Sequence, residues 1–124
     1  MDFAAIYAEA NEAGYWAGTN HEPTPMVVQQ HTNPLNDNSP VVQQWNVPSG
    51  VCGFAWVNVR PATCAFARWL KKTGKVQHVA YEGGYNIWCS EFGQSMERKE
   101  KWASAFASVL QKNGIKAYSR SRMD

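Results

Sequence analysis

The chain has 124 residues, 44% hydrophobic and 13% aromatic, with a formal net charge of +2. That is one ordinary domain, able to bury about two-thirds of its unfolded surface in a single core. No apolar run approaches the roughly 20 residues of a membrane span, and the start Met1-Asp2-Phe3-Ala4-Ala5-Ile6 carries no basic leader, so a cytoplasmic protein without a membrane partner is expected.

Charge is unevenly distributed. Residues 1–50 contain Asp2, Glu9, Glu12, Glu22 and Asp37 but no Lys or Arg, a balance of −5, whereas residues 51–124 hold all 12 basic residues and carry +7. An acidic segment beside a basic body motivates a homo-oligomer in which the N-terminal arm of one chain meets the body of another, a pairing weakened by salt. Cys52, Cys64 and Cys89 are odd in number and form no C-x-x-C pair. They read as reduced thiols, with neither a disulfide framework nor a zinc site, and no cofactor is expected.

In chain order, residues 2–13 place Phe3, Ile6, Tyr7 and Ala10 at helical spacing, and Gly14 is expected to stop that helix. From Gly14 to Gly50 the composition turns to Asn, Gln, Thr, Ser and Pro. Within it Val27-Val28-Gln29-Gln30 is echoed by Val41-Val42-Gln43-Gln44, which is either a long-looped hairpin or a chance similarity. Residues 53–59 read as a strand from their aromatic and β-branched content, and Pro61 suits the first position of a helix over 61–73 closed by Gly74. Residues 75–81 and 85–91 are expected to form a hairpin through Gly83-Gly84, pairing His78 with Cys89, Val79 with Trp88, Ala80 with Ile87 and Tyr81 with Asn86. Ser95 caps a second helix with Trp102, Ala103, Phe106, Val109 and Leu110 on its buried stripe, ended by Asn113-Gly114, and residues 115–120 form a last strand.

The order from residue 53 is strand, helix, strand, strand, helix, strand. That predicts an α+β fold of ferredoxin-like (split βαβ) type, an antiparallel sheet with two helices on one face. Residues 51–124 would be this core. Residues 1–50, an acidic helix and a Pro/Asn/Gln-rich arm of the same domain, would cover an edge or part of the free face, or serve as a dimerisation arm.

Period-two alternation assigns the small aliphatic residues to the side under the helices. The free face then gathers Phe54, Trp56, Asn58, Arg60, Tyr81, Asn86 and Trp88, with Tyr118 and Arg120 or Lys116 from the last strand. Aromatic rings beside amides and guanidiniums suit a nucleotide-like small molecule: Trp56 or Trp88 to stack a base, Asn58 or Asn86 to read its edge, and Arg60, Arg120 and Arg122 to hold phosphates. The competing reading makes the same aromatics a second core or a protein interface. Ser119-Arg120-Ser121-Arg122 is either a phosphate clamp or a frayed tail, and the basic groups around Arg68 and Arg98 read as solvated helix faces. His78 opposite Cys89, with Glu91 along the same face, is the one arrangement resembling an activated thiol, and its expected place under the helices argues for an inert core pair. No catalytic residue is assigned.

The run Gly50-Val51-Cys52-Gly53-Phe54-Ala55-Trp56-Val57-Asn58-Val59, the segment Gly83-Gly84-Tyr85-Asn86-Ile87-Trp88 and the closing Ser121-Arg122-Met123-Asp124 resemble a family of small tailed-bacteriophage proteins over about the last 75 residues. The resemblance carries no chemistry. It implies a host-takeover or anti-defence role in the host cytoplasm, by analogy of role to the Thoeris anti-defence proteins that sequester nucleotide-derived signals. A protein-binding inhibitor of a host enzyme and a single-stranded nucleic-acid binder are the alternatives.

Overall fold

The computed structural model describes residues 1–23 and 50–124 in full, together with the backbone of 26–31 and 41–47. It is an α+β structure whose elements run α1 (Phe3–Asn20), β1 (Met26–His31), β2 (Val41–Val47), β3 (Gly53–Val59), α2 (Ala65–Lys72), β4 (Tyr85–Trp88), α3 (Met96–Lys112) and β5 (Ala117–Met123). β1 and β2 pair antiparallel as a two-stranded sheet, so the repeated Val-Val-Gln-Gln segments do form a hairpin; the chain between them lies outside the described residues. The main sheet is three-stranded and antiparallel, in the order β4-β3-β5. No helix among the described residues is long and apolar enough to cross a membrane.

The strand β3 and the helix α3 lie where the pattern predicts. Ala55, Val57 and Val59 on one side of β3 are fully buried, beneath a core that includes Phe66 and Leu70 of α2 and Trp102, Phe106 and Leu110 of α3. The Ser95 side chain accepts from Arg98 N at 3.4 Å to start α3. α2 and α3 end alike. Lys75 N donates to Leu70 O and Gly74 N to Lys71 O, and likewise Ile115 N to Leu110 O and Gly114 N to Gln111 O; both closures need a residue at positive φ, supplied by Gly74 and Gly114 at +77°.

Four expectations are corrected. Gly14 does not stop α1, which runs on to Asn20; Ile6, Ala10, Gly14 and Gly18 recur every four residues and form its buried stripe. A side chain at Gly14 would meet the Trp102 ring at 2.7 Å, and at Gly18 the Phe92 ring, so small residues here allow close approach to the α3 side. α1 packs on α3, and its Phe3 and Tyr7 rings meet Phe66 and Trp69 of α2. It therefore extends the helical layer, and residues 3–20 are docked on their own chain. The helix α2 starts at Ala65, not Pro61. Cys64 N donates to Pro61 O in a turn, and the Cys64 thiol caps the helix by accepting from Ala67 N at 3.4 Å.

Residues 75–81 do not form a strand. Among the described residues the only pairing there is an isolated bridge, Val79↔Tyr85, and all four expected cross-hairpin pairs are absent. Val76 is buried in the core and Lys75 Nζ sits 4.6 Å from the centre of the Tyr7 ring, so packing against α1 draws the segment away from the β4 edge. β5 runs to Met123 instead of ending at Arg120. Gly53↔Met123 and Phe54↔Arg122 pair in register, so the basic C-terminus is a strand and not a frayed tail.

Candidate functional site

Residues opposite each other in an antiparallel ladder share a face. Phe54↔Arg122, Trp56↔Arg120 and Asn58↔Tyr118 on one side of β3, with Trp56↔Trp88 and Asn58↔Asn86 on the other, put these side chains in one array on the face away from the core. The alternation read from the sequence thus brings together Trp56, Asn58, Asn86, Trp88, Tyr118, Arg120 and Arg122. Arg60 follows at the end of β3, its guanidinium stacked 4.6 Å from the Tyr118 ring centre. Tyr81 is not part of it. Without a strand over 75–81 it stands fully exposed on the loop.

The rings are already engaged with one another. Trp56 and Trp88 lie 4.6 Å apart between centroids, too close to admit a base between them, while Phe54 meets Trp88 edge-on at 6.5 Å and lies 5.4 Å beneath the Arg122 guanidinium. Trp88 remains 49% and Tyr118 41% exposed, so a ligand can stack on the outer faces of these rings.

Asn58 sits at the centre and is completely buried. Its Nδ2 donates to Gly83 O at 2.8 Å and to Asn86 Oδ1 at 2.9 Å, which ties the loop over 80–84 down on the sheet. Asn58 therefore anchors the loop and has no free donor with which to read a base edge. Its Oδ1 is buried without a hydrogen-bond partner among the described residues.

That loop delivers a residue the sequence reading did not include. Glu82 accepts from Trp56 Nε1 at 3.2 Å, and its other carboxylate oxygen lies 3.6 Å from Arg120 Nε. Glu82 is thus an internal anion on the face, occupying Arg120, one of the three cations expected to hold phosphate. Its only sequence signal was its place beside Gly83-Gly84.

The Ser-Arg-Ser-Arg clamp does not form. Alternation along β5 sends Arg120 and Arg122 to the open face and Ser119 and Ser121 to the other, where Ser121 Oγ donates to Glu100 at 3.0 Å. Lys99 also departs from the solvated-face expectation: it is 6% exposed, donates from Nζ to Gly53 O at 3.1 Å and lies 5.3 Å from the Phe54 ring. No protein-family model, curated protein or solved structure matches this chain.

The thiol arrangement is broken up. His78 is exposed on the loop while Cys89 is buried, its Sγ donating to Glu91 O at 3.7 Å, so the expected place of His78 under the helices is also corrected. Burial raises the Cys89 pKa above the ordinary thiol value, against smaller lowering effects of the Glu91 carbonyl and Lys99. The thiolate, the nucleophilic form, is thus disfavoured. Iodoacetamide at mildly alkaline pH is expected to label Cys52 and Cys64, both partly exposed, before Cys89, as read by peptide mass spectrometry. Equal rates would show that Cys89 is accessible. Because its folded pKa lies above the unfolded one, the contribution of Cys89 to stability is whole below the ordinary thiol value and is lost as pH rises from there through the raised folded value.

Proposed function

We propose that this is a non-enzymatic binding protein whose open sheet face takes a nucleotide-like anionic ligand, with a base on the outer face of Trp88 and phosphate on Arg122. The observation that carries the reading is the exposed Trp88 ring on the same face as the guanidiniums of Arg120 and Arg122. Base plus phosphate is met by a free nucleotide or by one unit of a single strand. Fluorescence anisotropy with a labelled oligothymidylate at low salt, competed by mononucleotides and cyclic nucleotides, separates the two sources.

Trp88→Ala is expected to weaken binding about tenfold, since stacking contributes about 1–3 kcal/mol per base. Arg122→Ala is expected to weaken binding and, for a strand, to reduce the salt slope by about 0.7. No binding by strand or nucleotide at low salt would refute the reading. It would favour a protein-binding inhibitor, for which the packed Phe54, Trp56 and Trp88 cluster is a preformed hot spot.

A ferredoxin-like fold is supported by the antiparallel order β4-β3-β5 with α2 and α3 as crossovers, the order of a split βαβ sheet lacking its outer strand. The resemblance to tailed-phage proteins supports an anti-defence setting in the host cytoplasm. Homo-oligomerisation through the acidic arm would now rest on residues after Asn20.

A further inference from the structure

A second site lies at the other end of β3. A cavity of about 300 Å³ opens between the start of α1, the start of α2 and the turn from α3 into β5. Phe3, Pro61, Phe66 and Ile115 give it apolar walls, and Arg60 and Lys116 also line it. Among the described residues no acidic side chain does.

The two cations are the unusual part. Arg60 N donates to Lys116 O at 3.2 Å, continuing the β3–β5 ladder by one step, so two like charges stand as cross-strand neighbours. Such pairs are destabilising unless an anion offsets them. Neither takes part in an ion pair among the described residues. Arg60 Nε is moreover buried without a hydrogen-bond acceptor there, while stacking on Tyr118 restrains its guanidinium. Nε itself has almost no accessible surface, so an oxyanion at the cavity mouth would meet the outer N–H groups of the guanidinium.

We propose that this cavity binds a small amphiphilic anion, a carboxylate with an apolar body, whose headgroup lies between Arg60 and Lys116 and whose body lies against Phe3, Phe66 and Ile115. The volume is at the small end for ligand pockets, and apolar walls with a few convergent polar groups are their usual chemistry. This site is independent of the nucleotide reading, which concerns the aromatic face around Trp88.

The cavity carries its own reporter, because Cys64 lines it whereas Cys52 does not. The test is the rate of iodoacetamide labelling at each cysteine of the full chain, by peptide mass spectrometry, with sodium octanoate at millimolar concentration. Octanoate is expected to slow Cys64 and leave Cys52 unchanged, and octan-1-ol at equal concentration to protect much less. Lys116→Met, on an exposed side chain, is expected to raise the octanoate concentration needed for protection about tenfold, the size of one charge-assisted contact. Arg60→Met is expected to do the same or more, and Lys116→Met decides the matter if that variant fails to fold. Unchanged Cys64 labelling in octanoate would overturn the proposal, as would equal protection by octanol or protection that ignores Lys116→Met.

Discussion

Gly84→Ala is expected to cost about 4 kcal/mol of stability, while Gly83→Ala, one residue earlier, costs about 1–2 kcal/mol. Both glycines have positive φ, +93° at Gly83 and +68° at Gly84, so both alanines incur the backbone penalty of a left-handed L-residue. Their surroundings differ. Nothing lies within 4 Å of a Cβ built on Gly83, whereas one built on Gly84 would run into the Val59 carbonyl oxygen and come within 2.7 Å of Arg60 Cβ. Val59 belongs to the central strand and is fully buried, so it has little room to retreat.

Thermal denaturation of the two variants beside the parent measures this. For a domain of this size 1 kcal/mol corresponds to a few degrees of Tm, so Gly83→Ala should fall by about 5 °C and Gly84→Ala by about 15 °C. If the two alanines melt together, the loop does not pack against β3 as described. The contrast bears on the binding face too, since the packing of Gly84 and the Asn58 contact to Gly83 O together hold Glu82 over Trp56 and Arg120.

What could be read in the sequence follows how local the deciding interactions are. The face composition of β3 and the end of α3 follow from alternation and from Gly114, each visible within a few residues, and so they were legible. Residues 75–81 have strand composition, but the burial of Val76 and the packing of Lys75 on Tyr7 involve an element almost seventy positions away. Gly14 reads as a stop in isolation and becomes a contact only when Trp102 is brought beside it. For the candidate site, alternation was enough to collect the aromatic and arginine residues on one face. It gave no sign that Asn58 would be consumed by the loop, or that Glu82 would already occupy Arg120.

Glu82→Gln is expected to raise the affinity for a single-stranded oligonucleotide about tenfold at low salt. The carboxylate of Glu82 competes with any phosphate for Arg120, and at 3.6 Å it also lowers the positive potential of the face. The amide removes the charge and keeps an oxygen to accept from Trp56 Nε1, so the indole stays in place while Arg120 is released. With one more cation available to phosphate, the salt slope for a single strand should steepen by about 0.7. Stability should barely change, because a partly exposed ion pair of this kind contributes about 0–1 kcal/mol. Anisotropy titrations at several salt concentrations, with a melting curve for each protein, read all three quantities. Binding that is unchanged or weaker, with the slope unaltered and the fold intact, would mean that phosphate does not use Arg120. Tighter binding with a steeper slope would identify Glu82 as an internal mimic of the ligand's anion, which an incoming phosphate must displace.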